Sequence, residues 1–405
     1  MKSVAEAYKD FPILQRTHNG HPLVYLDSGA TTQVPNAVID ALEKHLKNHN
    51  GNPHRGAHVL AVEASEAYET ARDTVQRFIN AKSREEIVLT RNTTESLNLI
   101  AFSYGMNNVK KGDKIVITIA EHHANLVTWQ RVAQVTGATL EYMYLDESGH
   151  IKDGEMDKID EHTKIVAFAH VSNVLGMEFP VAELIKRAHD VGAVVVLDGA
   201  QSTPHKKIDV QALDCDFYAF SGHKLFGPTG IGVLYGKRAL LEAMPPFLGG
   251  GDMVDTVTFA KTTYAPVPLK FEAGTANFTG AIALGEAVKF VGRFDPAEVE
   301  AHEAALLHRA TERLTAVDGL RIYGTTPGKC AIVSFNVEGV HPYDMGMILD
   351  KLGIAVRTGQ HCAEPTMTHF STTGMCRASF ALYNTLAEAD ALAGGVERAV
   401  RMLRG

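Results

Sequence analysis

No apolar run in the sequence approaches the roughly 20 residues that a membrane-spanning helix requires. The first residues, MKSVAEAYKDFPIL, contain acids and a proline where a secretory signal peptide would keep an unbroken apolar stretch. Internal repeats and low-complexity segments are also absent. We therefore expect a protein without a membrane span or secretory leader, beginning with a short amphipathic helix.

Basic residues and cysteines are few as well. Lys and Arg number 39 against 47 Asp and Glu, the formal net charge is -8, and no basic stripe runs along the chain, so nucleic acid is disfavoured as a partner. The 4 cysteines, at positions 215, 330, 362 and 376, are too few to staple 405 residues and lack the paired spacing of metal ligands. We expect no metal site, and a reducing cytoplasm in which one cysteine is free to act as a nucleophile.

What the sequence does contain, from about residue 85, is an alternation of short apolar runs and amphipathic stretches. This alternation predicts an α/β fold with a mostly parallel seven-stranded sheet sandwiched by helices. The expected strands are 86–90, 114–119, 139–145, 164–171, 193–197, 217–220 and 231–235. The run 193–197 is apolar at every position, which predicts a central strand covered on both faces.

Residues 245–285 are rich in Pro, Gly and Thr and predict an extended excursion. A long amphipathic helix at 296–317 then leads into a second alternation, with strands expected near 320–323, 331–337, 354–357 and 377–382. Because the chain exceeds what one core usually holds, we expect a large domain and a smaller α+β C-terminal domain. The predicted division is 21–284 and 285–405, with 1–20 packing on the smaller domain.

Two charged residues follow predicted strands of the large sheet. Lys224 lies in Ser221-Gly-His-Lys-Leu225, among glycines and apolar residues that would desolvate its amine and make it nucleophilic. The alternative is a turn lysine directed at water, and the segment alone does not decide between them. Asp198 ends the central strand, at the edge where open α/β sheets bind ligands. There it either holds a cofactor's pyridine nitrogen protonated or caps the following turn.

Hydroxyls and an imidazole mark two further strand ends. Thr93 and Thr94 open a predicted helix, where free amides favour a phosphate, although the same residues serve any helix as N-caps. His122, in Glu121-His-His-Ala-Asn125, suits stacking on an aromatic cofactor better than binding zinc, because no third ligand is near in sequence. A structural histidine is the alternative.

The C-terminal part of the chain offers a thiol and a guanidinium. Cys362 lies in Arg357-Thr-Gly-Gln-His-Cys-Ala363, where His361 and Arg357 would raise its thiolate fraction if they face it. The other cysteines lie in or beside apolar, strand-like sequence and are expected to be inert. Arg377 begins a late strand and has the geometry to clamp a carboxylate, with a surface ion pair as the alternative.

Taken together and in this order, these segments resemble the class V aminotransferase family of fold-type I pyridoxal-phosphate (PLP) enzymes. They are most similar to its group II cysteine desulfurase/selenocysteine lyase branch, of the SufS/CsdA kind. The resemblance extends from Tyr25-Leu-Asp-Ser28 to Tyr383-Asn-Thr385. It implies that Lys224 carries PLP and shuttles the substrate's Cα proton, that Asp198 pairs with the ring nitrogen, that Gln201 contacts the ring oxygen and that His122 stacks on the ring.

The resemblance also implies how the phosphate and the substrate are held. The phosphate-binding residues would be Thr93, Thr94, Ser221 and His223, with Thr275 reaching in from the partner subunit of a homodimer. Asn173 and Arg377 would bind the substrate carboxylate, with Arg357, His54 and Arg55 near it. Two positions depart from the family pattern, which usually has Gly at Asn92 and Pro at Ala276. These departures affect the phosphate loop and the intersubunit contact, and neither removes a reacting group.

The implied activity is conversion of L-cysteine into L-alanine, with the sulfur transferred to Cys362 as a persulfide for delivery to an acceptor protein, as in iron–sulfur cluster assembly. L-Selenocysteine is a second implied substrate. The segment between Arg357 and Arg377 is short, so we expect that Cys362 cannot swing far and that the acceptor comes to it. The alternatives are another PLP reaction, such as transamination or epimerisation, and a sulfur-assembly scaffold without catalysis.

Overall fold

Seven strands form the main sheet in the computed structural model, which describes residues 2–54 and 56–404. In spatial order these strands are Ile87–Thr90, Gly232–Gly236, Phe217–Ser221, Val194–Asp198, Thr163–Ala169, Lys114–Thr118 and Thr139–Met143. The strand Gly232–Gly236 runs antiparallel to both of its neighbours, and the remaining pairings are parallel. The predicted fold class, a mostly parallel seven-stranded sheet between helices, is confirmed.

The strand Val194–Asp198 lies in the middle of this sheet, as its unbroken apolar character predicted. Val195 and Leu197 pack into the core on one face of the sheet, and Val196 packs into the core on the other face. Alternate residues of a strand point to opposite faces, so a strand covered on both sides must be apolar at every position.

Helices cover both faces of the sheet and build most of the C-terminal part. Described α-helices of six residues or more are Asn36–Asn48, Val59–Phe78, Thr93–Ile100, Val127–Thr136, Val181–Asp190, Arg238–Ala243, Phe278–Val291, Pro296–Thr315, Pro342–Lys351, Glu364–His369 and Leu386–Leu403. A π-helical turn, Ala101–Gly105, extends Thr93–Ile100. None of the described helices is both long and apolar enough to cross a bilayer.

The extended segment predicted at 245–285 ends earlier than expected, because a helix begins at Phe278. Within it, Val254–Val257 and Thr262–Tyr264 form a two-stranded hairpin. A helix begins at Phe278, because Asn277 caps it by accepting a hydrogen bond from the Gly280 N–H at 2.9 Å. This helix is apolar over most of its surface, so its sequence lacks the polar face that signals a helix. It runs across the predicted division at 284, which stays a prediction.

A second sheet lies in the C-terminal part, with the strand order Leu320–Tyr323, Ile332–Val337, Met375–Ser379 and Arg357–Gly359. The single strand predicted at 354–357 is wrong. Ile354–Ala355 instead pairs in parallel with Val24–Tyr25, and only Arg357–Gly359 joins the second sheet. The N-terminal segment thus inserts beside the C-terminal sheet, a pairing that no local pattern signals.

The N-terminal residues form two 3₁₀ helices, Val4–Asp10 and Pro12–Gln15, where one amphipathic helix was predicted. Pro12 lacks an N–H, which limits a continuous helix here. Phe11 is buried between them against the rings of Phe290 and Tyr383. This contact fastens the chain start to both the helix Phe278–Val291 and the C-terminal part.

Candidate active site

The carboxyl end of the central strand opens into a cavity of about 280 Å³ that is lined by residues from both halves of the chain. Among the predicted site residues, those that line it are Thr93, Thr94, His122, Asn173, Asp198, Gln201, Ser221, His223, Lys224, Arg357, Cys362 and Arg377. Parallel strands bring their carboxyl ends to one edge, which explains how segments distant in sequence meet here.

Asp198 provides a buried acid at the centre of this cavity. Its Oδ1 accepts a hydrogen bond from the Ala200 N–H at 2.9 Å. Burial raises the pKa of Asp198, and the Ala200 N–H and the Lys224 amine oppose this rise. A carboxylate held in such surroundings gains from a cationic partner, which the cavity has room to admit.

Lys224 ends a single 3₁₀ turn, Gly222–Lys224, that follows the strand Phe217–Ser221. Its amine faces the cavity, where burial lowers the pKa of Lys224 to about 8 although Asp198 raises it. The amine makes no hydrogen bond with any residue in the described ranges. A larger fraction of this amine than of an exposed lysine is therefore neutral and nucleophilic near neutral pH.

The N-terminus of the helix Thr93–Ile100 forms one end of the cavity. The Ser221 hydroxyl accepts a hydrogen bond from the Thr93 N–H at 2.9 Å and lies 2.7 Å from the Thr93 hydroxyl. Asn92 is extended, with φ −177°, and its Oδ1 accepts from the Glu95 N–H at 2.9 Å. The backbone at this departure from the family pattern therefore does not require glycine, and the side chain caps the helix.

His122 lies on the turn after the strand Lys114–Thr118. Burial and the nearby Lys224 lower its pKa to about 4, so the imidazole is neutral at pH 7. The preceding residue, Glu121, was not predicted as a site residue; it is fully buried and accepts hydrogen bonds from the Thr118 hydroxyl at 2.5 Å and the Asn125 amide at 2.7 Å. Burial raises the pKa of Glu121 to about 8. These contacts fix the turn that carries His122.

Cys362 is an exposed thiol on a loop held by backbone contacts. The Cys362 carbonyl accepts from the His123 N–H at 2.7 Å, and the preceding carbonyl, of His361, accepts from the Asn173 amide at 2.8 Å. His361 and Cys362 both have φ of 54°, in the left-handed region that non-glycine residues rarely adopt. The loop is therefore pinned at the cavity in a strained backbone conformation.

His361 does not provide the positive charge that the sequence suggested. Its ring Nε2 lies 3.0 Å from the Met375 carbonyl, and burial lowers the pKa of His361 to about 3. The other cysteines, Cys215, Cys330 and Cys376, are buried, and burial raises the pKa of each thiol. Cys362 is thus the accessible thiol, as predicted.

Two guanidiniums also line the cavity. Arg377 is buried; its Nη1 donates to the Asn173 carbonyl at 2.7 Å, and its Nε has no partner in the described structure. Arg357 donates to both carboxylate oxygens of Asp27. Asp27 is a residue that sequence reasoning missed, although it lies within the Tyr25-Leu-Asp-Ser28 segment that carried the resemblance.

The remaining predicted site residues within the described ranges make contacts within the chain or lie outside the cavity. The Gln201 amide donates to the Gly29 carbonyl at 2.7 Å, so Gly29 also borders the site. Thr275 is exposed and His54 packs edge-on against Tyr68, and neither lines the cavity of its own chain. Arg55 lies outside the described residues. The role of Thr275, which was predicted to act from a partner subunit, stays a prediction, and so does the role of His54 near the substrate.

Comparisons with known proteins agree with this arrangement. The model of the family described as aminotransferase class-V matches residues 24–392. A protein of Halalkalibacterium halodurans named "Probable cysteine desulfurase" is 52% identical, with 97% of each chain covered. A cysteine desulfurase of Escherichia coli O127:H6 is 48% identical, with 99% of each chain covered.

A solved structure of a cysteine desulfurase has a similar fold. The crystal structure of the cysteine desulfurase CsdA from Escherichia coli, in an S-sulfonic acid form, superimposes with a TM-score of 0.92 at 42% identity over 100% of both chains. The family match spans most of the sequence, and the structural likeness spans all of it. The chain belongs to the class-V aminotransferase family.

Proposed function

We propose that this protein is a PLP-dependent cysteine desulfurase, which converts L-cysteine into L-alanine and receives the sulfur on Cys362 as a persulfide. The observation that carries the proposal is that the Lys224 amine and the Cys362 thiol line one cavity together with the buried Asp198. Relatives of similar length, about half of whose residues are identical, carry the name cysteine desulfurase.

The cavity fits pyridoxal 5′-phosphate. The Lys224 amine, the Thr94 hydroxyl and the His223 imidazole line it without hydrogen-bond partners in the described ranges. The phosphate would lie at the N-terminus of the helix Thr93–Ile100, and Asp198 would face the ring nitrogen. When bound, the cofactor supplies a protonated ring that takes up the electron pair left when the substrate loses its Cα proton.

Lys224 and Arg377 would prepare the amino acid for reaction. The buried Arg377 guanidinium has an unpartnered Nε, so a substrate carboxylate would satisfy it and orient the Cα–H bond. The Lys224 Nζ would hold the cofactor and would accept the Cα proton of the substrate. The neutral His122 ring would stack on the cofactor and add no positive charge near it.

Cys362 would complete the sulfur transfer. Its thiolate would attack the substrate sulfur, so that an S–S bond forms while the substrate C–S bond breaks. The electron pair of that bond stays with the carbon skeleton, which takes up protons and leaves as alanine. The exposed position of Cys362 allows a thiol of an acceptor protein to reach the persulfide. Because backbone contacts pin the loop, we infer that the acceptor comes to Cys362.

The proposal includes a homodimer in the cytoplasm, with Thr275 of each chain serving the other site, and L-selenocysteine as a second substrate. The sulfur would serve pathways such as iron–sulfur cluster assembly. Three buried, unpaired cysteines are compatible with a reducing compartment.

The decisive experiment measures alanine and sulfide production from L-cysteine. Lys224→Ala is expected to lose the cofactor's visible absorbance, and Cys362→Ala to lose alanine production by more than about 100-fold, because each removes a reacting group. Cys330→Ala, a matched change at a buried thiol, should retain the wild-type rate. A wild type that holds the cofactor but makes neither alanine nor sulfide would show that a transaminase or epimerase is the better assignment, and wild-type alanine production in Cys362→Ala would show that the sulfur leaves without Cys362. A colourless wild-type protein would favour a scaffold without catalysis.

A further inference from the structure

Arg357 and Arg377 are direct partners on neighbouring antiparallel strands. Residues opposite each other in an antiparallel pair project from the same face of the sheet, and like charges in that position repel. Burial and the charge of Arg357 lower the pKa of Arg377, to about 10. Two guanidiniums at one end of a cavity therefore need a counter-charge.

Asp27 supplies this charge from a third segment. Its carboxylate accepts from Arg357 at 3.0 Å and 3.1 Å from Nε and at 2.8 Å from Nη2. The nearest contact of Asp27 with Arg377 is longer, 3.5 Å from Nη2. Asp27 thus occupies the guanidinium fork of Arg357, whereas Arg377 keeps donors free for a ligand.

The backbone around Asp27 holds the carboxylate in this position. Leu26 donates to the Ala355 carbonyl at 2.9 Å and accepts from the Ser379 N–H at 2.8 Å, so the segment lies between two strands of the C-terminal part. On the other side, the Gly29 N–H donates to the Ser379 hydroxyl at 2.7 Å. The side chain of Asp27 is only 14% exposed, which leaves it little freedom to turn to water.

From this arrangement we infer that Asp27 is a specificity-determining residue: it occupies Arg357 so that the cavity accepts one substrate carboxylate and disfavours a second. The inference rests on the proposed function, in which Arg377 binds the carboxylate of an amino acid. A ligand with a second carboxylate would have to compete with Asp27 for Arg357. Cysteine carries a single carboxylate and meets no such competition.

The test uses propionate and succinate, a monocarboxylate and a dicarboxylate without an amino group, titrated into the cofactor-loaded protein by calorimetry. Asp27→Asn should bind succinate about tenfold more tightly than the wild type, because the Arg357 guanidinium can then donate hydrogen bonds to the second carboxylate. Its affinity for propionate should change by less than about threefold. The double variant Asp27→Asn/Arg357→Gln should lose this gain. Equal effects on both ligands, or no effect, would overturn the inference.

A second pair of variants serves if Asp27→Asn fails to fold. In Arg357→Gln, Asp27 is left to Arg377 alone, so propionate should bind about tenfold more weakly, and the double variant should restore its affinity. Unchanged propionate affinity in Arg357→Gln would contradict the inference. Asp390→Asn is the matched control, because Asp390 accepts a similar fork from Arg309 at 2.8 Å and 3.1 Å outside the cavity. Failure of the proposed function would appear separately, as a wild type that makes no alanine from cysteine.

Discussion

Among the four cysteines, the environment of each side chain determines which one can react. Cys215, Cys330 and Cys376 are buried, and burial disfavours their thiolate forms. Cys362 is exposed beside the cavity. The same physical effect acts in the opposite direction on Lys224, where burial favours the neutral, nucleophilic amine. At the scale of single residues, burial therefore separates reactive groups from structural ones.

This difference predicts the reactivity of the thiols. A water-soluble disulfide reagent should label one thiol per native chain and four after unfolding in denaturant, because the reagent reacts with accessible thiolate. Cys362→Ala should show no fast-reacting thiol in the native state and three after unfolding. Rapid labelling of a second native thiol would contradict the burial described here.

At the scale of elements, the start of the helix Thr93–Ile100 is the part of the fold on which the phosphate site depends. Asn92, Thr93 and Thr94 line the cavity, and the Ser221 hydroxyl accepts a hydrogen bond from the Thr93 N–H. Asn92 gives the helix a side-chain cap. The backbone at position 92 is extended and therefore does not require glycine.

The cap predicts a specific order of stabilities. Asn92→Ala should lower the free energy of unfolding by about 1 kcal/mol, whereas Asn92→Gly should cost only a few tenths of that, in keeping with N-cap preferences. Thr385→Ala, at the N-cap of Leu386–Leu403, is a matched control expected to cost about 1 kcal/mol as well. Urea unfolding measures all three. If Asn92→Ala were as stable as the wild type, the Asn92 side chain would not stabilise the helix as a cap.

At the scale of the whole molecule, the cavity is built where the two halves of the chain meet. Asp198 and Lys224 come from the large sheet, Cys362 and Arg377 come from the C-terminal part, and Gly29 follows an N-terminal segment paired with that part. Thr275, however, is exposed and lies outside the cavity of its own chain. A role for Thr275 in binding phosphate therefore requires a second copy of the chain.

Hybrid dimers test this requirement. A dimer of one Lys224→Ala chain and one Thr275→Ala chain has one complete site if Thr275 acts across the interface, and none if it acts within its own chain. We expect such hybrids, purified with two different affinity tags, to hold cofactor at one site. After dilution, the cofactor at that site should be lost as slowly as from the wild type. Cofactor loss at the rate of the Thr275→Ala homodimer would exclude the intersubunit role.

Much of the fold and of the site could be predicted from the sequence, because the relevant signals are local. The seven strands of the large sheet followed from apolar runs of the right length, and the central one from its lack of polar positions. Motif segments placed Lys224, Asp198 and Cys362 at strand ends, and the structure brings all three to one cavity. Reactive residues could be predicted in this way because their identification depends on residue type and on neighbours in the sequence.

Other features depended on contacts between distant segments. The pairing of Ile354–Ala355 with Val24–Tyr25, the fork between Arg357 and Asp27, and the buried acid Glu121 have no local signature. The direction of the His361 ring was likewise decided by its burial next to Met375. The sequence by itself determined which elements form and which reactive groups lie at their ends, because periodicity and capping act over a few residues. Tertiary structure alone decided which charges are paired and which groups are desolvated, because those depend on what packs against them.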